Sequence, residues 1–139
     1  MQTAGIIANG TGINPAVDER LKEREMGRLN NVKFDSREMM LKAFWDEVES
    51  DYAEGLESWD SLKKRISGFM GGLSEGKVFL AVSHRDVIAA ALGSVDARFD
   101  SDISADVLSI PTASISVIDL EAKEILSIGS DKIPAQLWG

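Results

Sequence analysis

Residues 78–92 constrain the fold of this chain more than any other stretch, because two apolar runs meet there across the polar turn Ser83-His84-Arg85-Asp86. The first run, residues 77–82, is β-branched and typical of a strand buried on both faces of a parallel sheet. The second run predicts a helix that ends near Gly93. Free backbone N–H groups and the helix dipole at such a turn favour a bound anion. The turn carries the only histidine of the chain, and Arg85 adds permanent positive charge.

The remaining sequence predicts further helices and strands in mixed order. A helix is expected over residues 2–9, closed by Gly10 or Gly12. A second helix begins at Asp35 or Ser36, with Glu38 in the capping-box position. A third runs over residues 58–73. Two strands, residues 114–120 and 123–128, are joined by a tight turn, and residues 13–17 form a short edge strand. The order predicts one α/β layered domain.

Charge and composition exclude several classes of function. The 139 residues carry 23 acidic and 15 basic side chains, a net charge of -8, which argues against nucleic acid or an anionic membrane as partner. No cysteine is present, so neither a disulfide framework nor a thiolate site can form. The apolar runs are far shorter than the roughly 20 residues of a membrane span. No signal peptide pattern is found, so we expect a cytoplasmic protein.

Two segments allow more than one interpretation. Met39, Met40, Phe44 and Trp45 could form a lid over a ligand, but their helical spacing favours packing in the core. Residues 96–106 are acidic without the spacing of a calcium-binding loop, which favours a solvated loop near the mouth of a pocket. The charged residues 18–31 predict a surface loop or short helical turn.

Three segments resemble the histidine phosphatase superfamily, which includes the phosphoglycerate mutases and many small phosphomonoesterases. Gln2-Thr3-Ala4 with Ile6-Ile7-Ala8 is similar to its "QTA-x-IIA" helix. Arg20-Leu21, Glu23 and Gly27 resemble its "RL-x-E-x-x-x-G" segment, and the Glu23-Arg24 pair is closest to the mutases. Ser83-His84 with Val87-Ile88 resembles the "SH-x-x-VI" turn, which carries the family's second catalytic histidine.

Two lesser matches lie in the same order along the chain. Residues 55–58 with Arg65 are similar to the family's "G-x-ES" helix start, and residues 113–117 to the strand after its variable loop. The family's Arg-His-Gly motif, whose histidine accepts the phosphoryl group, has no counterpart here, and neither has an arginine just before the "QTA" helix. The resemblance implies a three-layer phosphoglycerate mutase-like sheet with helices on both faces, N-terminal strand and helix missing. Residues 1–139 are then one N-terminally incomplete domain.

The resemblance also implies roles for individual residues. His84 would bind the phosphoryl oxygens, and Glu23 would be the general acid that protonates the leaving oxygen. Arg24 would face a distal anionic group of the substrate, as in the mutases. Further candidates for binding phosphate or substrate are Arg20, Ser83 and Arg85. The family chemistry, phosphoryl transfer through a phosphohistidine, implies no metal and no other cofactor.

Three hypotheses follow for the function. The chain is part of a phosphatase or phosphoglycerate mutase-like enzyme and is inactive alone, or it is a non-catalytic relative that binds a phosphorylated ligand, inorganic phosphate or a protein. In the third hypothesis another chain supplies the nucleophilic histidine. An incomplete sheet leaves backbone groups and an apolar edge uncovered, which favours a homodimer that covers the edge. The substrate, and mutase versus phosphatase activity, stay open.

Overall fold

The computed structural model describes residues 2–49, 55–101 and 105–135. Five α-helices and two strands lie in these ranges: α1 (Gln2–Ala8), α2 (Arg37–Glu49), α3 (Trp59–Met70), α4 (Arg85–Gly93), α5 (Ala105–Ser109), β1 (Ile115–Asp119) and β2 (Glu124–Ser130). Short 3₁₀ turns cover Glu19–Leu21, Gly27–Leu29 and Ala97–Phe99. The mixture of helices and strands is that of an α/β protein. None of the described helices has the length and apolarity needed to cross a bilayer.

The helices begin where local capping chemistry places them. The Ser58 hydroxyl accepts a hydrogen bond from the Ser61 backbone N–H and caps α3, whose predicted start is confirmed. For α2 the cap is Ser36, whose hydroxyl accepts from the Met39 N–H at 3.2 Å. Gly10, at φ +80°, follows the end of α1, as expected for a left-handed helix terminus. The α3 helix ends at Met70, three residues earlier than predicted, because Gly71 and Gly72 form its terminal turn.

The core lies between α3 and α4, closed on one side by the 97–99 turn and α5. Leu62 and Ile66 of α3 are fully buried against Val87 and Leu92 of α4. Phe99 is also buried, so the segment predicted as an acidic loop contributes a core residue as well as charge. Residues 102–104 of that loop lie outside the described part of the chain.

The predicted β-hairpin is confirmed. β1 and β2 pair in antiparallel register, with Val117 opposite Ser127 and Asp119 opposite Glu124. The Asp119 carboxylate accepts from the Glu121 and Ala122 backbone N–H groups, which closes the turn between the strands. Within the described residues this hairpin is the whole sheet. The end of the tail, including Trp138, lies outside the described residues.

The prediction of a buried strand over residues 77–82 is wrong for this structure. No described residue forms a backbone–backbone hydrogen bond with residues 77–83, and the segment has no assigned secondary structure. Val78 is 83% and Leu80 68% exposed. A strand requires a neighbouring backbone to pair with, and the described residues provide none beside this segment. The edge strand predicted for residues 13–17 is absent too, because Ile13 and Val17 remain exposed and unpaired.

The charged segment 18–31 folds as two short helical turns on the surface of the helices, as predicted, but it has a buried member. Arg24 is only 2% exposed. Beyond it, Met26 pairs with Leu56 in an isolated antiparallel bridge, and the Glu57 N–H donates to the Glu25 carbonyl at 2.8 Å. These bonds fasten residues 24–26 to the entry of α3. The core position that helical spacing predicted for Met39 is wrong, because this side chain is 52% exposed.

Candidate functional site

His84 occupies the N-cap position of α4, with an extended backbone at φ -115° and ψ 163°. Its side chain makes no capping bond to the helix. The Nδ1 atom instead lies 3.0 Å from Oε2 of Glu23, and the imidazole is half exposed. Since a carboxylate is an acceptor only, a hydrogen bond in this contact is one that Nδ1 donates, and Nε2 is the ring nitrogen that Glu23 does not contact.

Glu23 is held at both carboxylate oxygens. Oε1 accepts from the Arg24 backbone N–H at 2.9 Å, while Oε2 contacts His84. The structure therefore brings together the two residues to which the sequence assigned catalytic roles, although they are 61 positions apart in the chain (84 − 23). With 47% of its side chain exposed, Glu23 is open to a ligand beside the imidazole.

Two side chains fix the backbone that carries Glu23. The Ser83 hydroxyl donates to the Leu21 carbonyl at 2.7 Å, which ties residues 18–24 to the residue before His84. Arg65 of α3 donates to the Arg20 carbonyl and, at 3.3 Å, to that of Glu23. Ser83 thus contacts backbone within the site, whereas the sequence predicted that it binds phosphate.

Arg65 has a structural role that the sequence did not reveal. Its guanidinium donates to both carboxylate oxygens of Glu57, at 2.7 and 2.9 Å, and both side chains are largely buried. Burial alone would raise the pKa of Glu57, but the Arg65 hydrogen bond and charge, with the Glu25 N–H, outweigh it and lower that pKa. The family resemblance placed residues 55–58 and Arg65 in one segment, but it did not reveal their ion pair or the bonds from Arg65 to the backbone carbonyls of residues 20 and 23.

Arg24 points into the protein. None of its side-chain surface is exposed, and Nη1 lies 3.7 Å from Oδ2 of Asp86. Its Nε donates to the Glu57 carbonyl at 2.7 Å, and the guanidinium stands over the Phe44 and Trp59 rings at 5.2 and 5.6 Å. Such contacts place a cation between aromatic faces and acceptors, as expected for a buried arginine. In this structure Arg24 does not face solvent, where a distal anionic group of a substrate would lie.

Arg20 is engaged by its own neighbours. It pairs with Asp18 through two hydrogen bonds, at 2.9 and 2.6 Å, and donates to the Gly68 carbonyl at 2.6 Å. The hydrogen bonds between Arg20 and Asp18 lower the pKa of Asp18 to about 2 and raise the pKa of Arg20.

Arg85, another predicted phosphate ligand, follows His84 directly in the chain. Its Nε lies 3.6 Å from Oδ1 of Asp86.

A cleft of about 190 Å³ opens beside these charged residues. Glu23, Arg85 and Asp86 contribute to its lining, together with apolar side chains from α2, α5 and the 24–29 segment. A larger hollow of about 530 Å³ lies between residues 95–98 and β2, and neither His84 nor Glu23 lines it. His84 itself lines neither space, but Glu23, which contacts His84, lines the smaller cleft, and this cleft is therefore the one that adjoins the candidate pair. The described residues contain no group of three or more carboxylates and imidazoles that could hold a metal ion.

Similarity to known proteins identifies the family of this chain. The family model of the histidine phosphatase superfamily (branch 1) matches residues 1–128. A 2,3-bisphosphoglycerate-dependent phosphoglycerate mutase of Thermoplasma acidophilum is 31% identical over 130 residues, which cover 92% of this chain. The chain spans 62% of the length of that relative. No solved structure matches the chain. The protein belongs to the histidine phosphatase superfamily.

Proposed function

We propose that the protein acts on or binds a small phosphomonoester, with the phosphoryl group at the N-terminus of α4 beside His84. The observation that carries the proposal is the 3.0 Å contact between His84 Nδ1 and Glu23 Oε2 at that helix end. It leaves Nε2 as a donor to a phosphoryl oxygen when the ring is protonated, next to free backbone N–H groups and the helix dipole. A 31%-identical phosphoglycerate mutase supports phosphoryl chemistry as the class of reaction.

The proposed roles follow from the position of each side chain. His84 binds the phosphoryl oxygens, and Glu23 is placed to give a proton to the leaving oxygen and to activate the acceptor. Arg85 adds positive charge beside His84, whereas Ser83 holds residues 18–24 in place. Arg20 is bound to Asp18 and acts on the ligand through the loop it stabilises.

Turnover requires a nucleophile in addition to these groups. The resemblance implies that in the superfamily this nucleophile is the histidine of an Arg-His-Gly motif. These 139 residues have no such motif, and His84 is their single histidine. We therefore propose that the 139 residues by themselves bind the phosphate group without hydrolysing its ester. In a complete three-layer sheet of the family type, residues 77–82 would be one of the strands.

Phosphate binding tests the proposed site. We expect His84→Ala to weaken the binding of inorganic phosphate about tenfold or more in isothermal titration calorimetry, since a charge-assisted hydrogen bond contributes roughly 1.5–3 kcal/mol. Arg98→Ala is the control, because it removes a cation at the larger hollow, away from His84. Equal affinities of the two variants would contradict the site. Hydrolysis of p-nitrophenyl phosphate that disappears in His84→Ala would instead make His84 the nucleophile.

A second candidate function, a non-catalytic phosphate-binding dimer, is favoured by the exposed segment 77–82. Residues 78–83 include no Lys, Arg, His, Asp or Glu, so two copies can pair antiparallel with Leu80 opposite Leu80 and Lys77 opposite Ser83, without like charges directly opposite each other. Pairing would satisfy the open backbone groups and cover Val78 and Leu80. Light scattering after size exclusion tests this candidate. We expect a dimer that Leu80→Lys converts to a monomer, and a monomeric parent chain excludes it.

A further inference from the structure

The cleft beside His84 combines a short polar border with an apolar interior. Glu23, Arg85 and Asp86 adjoin His84 in space or in sequence and form the border. The other lining residues are apolar and come from α2, from α5 and from the segment before α2: Met26, Met40, Leu41, Phe44, Val107 and Leu108. A ligand anchored by its phosphate at His84 would therefore meet hydrocarbon with its other end.

The charges around the cleft disfavour a second anionic group on the ligand. The border has one cation, Arg85, against the carboxylates of Glu23 and Asp86. Arg24, which could have bound such a group, is turned inward against Phe44 and Trp59 and bonded to the Glu57 carbonyl. A carboxylate in this cleft would lose its hydration and meet apolar walls and like charge, both of which are costly.

We infer that the site accepts phosphomonoesters whose esterified group is small, apolar and uncharged, and discriminates against phosphorylated acids. This inference rests on the proposed function, because the phosphate at His84 places the ester in the cleft. The volume sets the size of the group, since about 190 Å³ is below the roughly 300–1,000 Å³ typical of pockets for larger ligands. A single ring or a short alkyl chain matches this space. Met40 and Phe44 then determine specificity, which gives a role to two residues whose helical spacing predicted core packing.

Three probes compared in isothermal titration calorimetry separate the ester group from the phosphate: methyl phosphate, phenyl phosphate and 3-phosphoglycerate. We expect phenyl phosphate to bind about tenfold more tightly than methyl phosphate, since the cleft removes apolar surface of the ring from water. We expect 3-phosphoglycerate to bind no more tightly than methyl phosphate. A preference for 3-phosphoglycerate over phenyl phosphate would overturn the inference.

Variants of the cleft wall distinguish this inference from the proposed function. Met40→Ser should weaken phenyl phosphate several-fold and leave methyl phosphate unchanged, while Met39→Ser, one residue along α2 and exposed, should change neither. Leu108→Ala tests the opposite wall with the same expectation. If Met40→Ser and Leu108→Ala leave the preference for phenyl phosphate intact, the inference is wrong although the phosphate site stands. If methyl and phenyl phosphate both fail to bind the parent chain, the proposed function fails and the inference with it.

Discussion

The two apolar runs on either side of His84 differ in burial: the first is exposed and the second contributes to the core. Residues 78–80 are exposed, from 48% at Phe79 to 83% at Val78. Residues 87–92, only a few positions later, include Val87 at 2% and Leu92 at 0% exposure. The helix satisfies its backbone hydrogen bonds internally and needs only an apolar face against α3, whereas a strand also needs another backbone beside it. Hydrophobic sequence alone therefore did not determine burial here.

The candidate site is attached to the better-packed of these two regions. His84 occupies the N-cap position of α4, and Arg65 of α3 and Ser83 hold the loop that carries Glu23. The geometry of Glu23 and His84 thus depends on helix packing and on the two donor side chains Arg65 and Ser83, and among the described residues the β1–β2 hairpin contributes no hydrogen bond to it. Three predictions test this contrast between the helical core and the extended segment.

The largest effect is expected from truncation of the helical core. Leu92→Ala should lower the free energy of unfolding by roughly 2–5 kcal/mol, because a fully buried leucine leaves a cavity. Leu80→Ala in the extended segment, where the side chain is 68% exposed, should change it by less than about 0.5 kcal/mol. Urea unfolding followed by circular dichroism measures both. Similar losses in the two variants would mean that Leu80 is buried in solution, and the contrast would no longer hold.

An intermediate effect is expected at the link between α3 and the loop of Glu23. Arg65→Met removes bonds to Glu57 and to two backbone carbonyls, so we expect a loss of about 1.5–3 kcal/mol in unfolding free energy. The same change should weaken phosphate binding through displacement of Glu23. Arg98→Met removes an exposed pair with Asp96, which water and salt screen, and should lower the free energy of unfolding less than Arg65→Met does. If Arg65→Met is folded and binds phosphate as the parent chain does, the loop that Arg65 holds is not needed for phosphate binding.

The smallest effect is expected in the pH dependence of stability below about pH 5. The pKa of Asp18 is lowered from 3.8 to about 2 by its hydrogen bonds to Arg20, so its stabilising contribution is complete above about pH 4. It is lost as the pH falls toward 2, because the folded state then has to take up the proton that the unfolded state already holds. Asp18→Asn should therefore match the parent chain most closely near pH 2 and be less stable at neutral pH. A difference between the two proteins that does not vary over pH 2–5 would exclude this ion pair as its source.

Several features could be predicted from the sequence because their causes are local. The caps Ser36 and Ser58, the hairpin turn at residues 121–122 and the start of α4 after His84 depend on residues a few positions apart. The pairing of Glu23 with His84 was suggested only by the family resemblance, since no local pattern joins them. The inward turn of Arg24 could not be foreseen, because its partners Phe44, Trp59 and Asp86 come from three different helices.

By itself the sequence determined the positions of the main helices, the hairpin, the superfamily and the identity of the candidate catalytic pair. The tertiary structure decided which charges face a ligand and which stabilise the protein. Arginine is charged wherever it stands, so sequence cannot distinguish Arg85 at the border of the cleft from Arg24 between two aromatic rings. Burial also depends on partners distant in the chain. Residues 87–92 pack against α3, whereas residues 77–81 stay exposed and form no backbone–backbone hydrogen bond with a described residue.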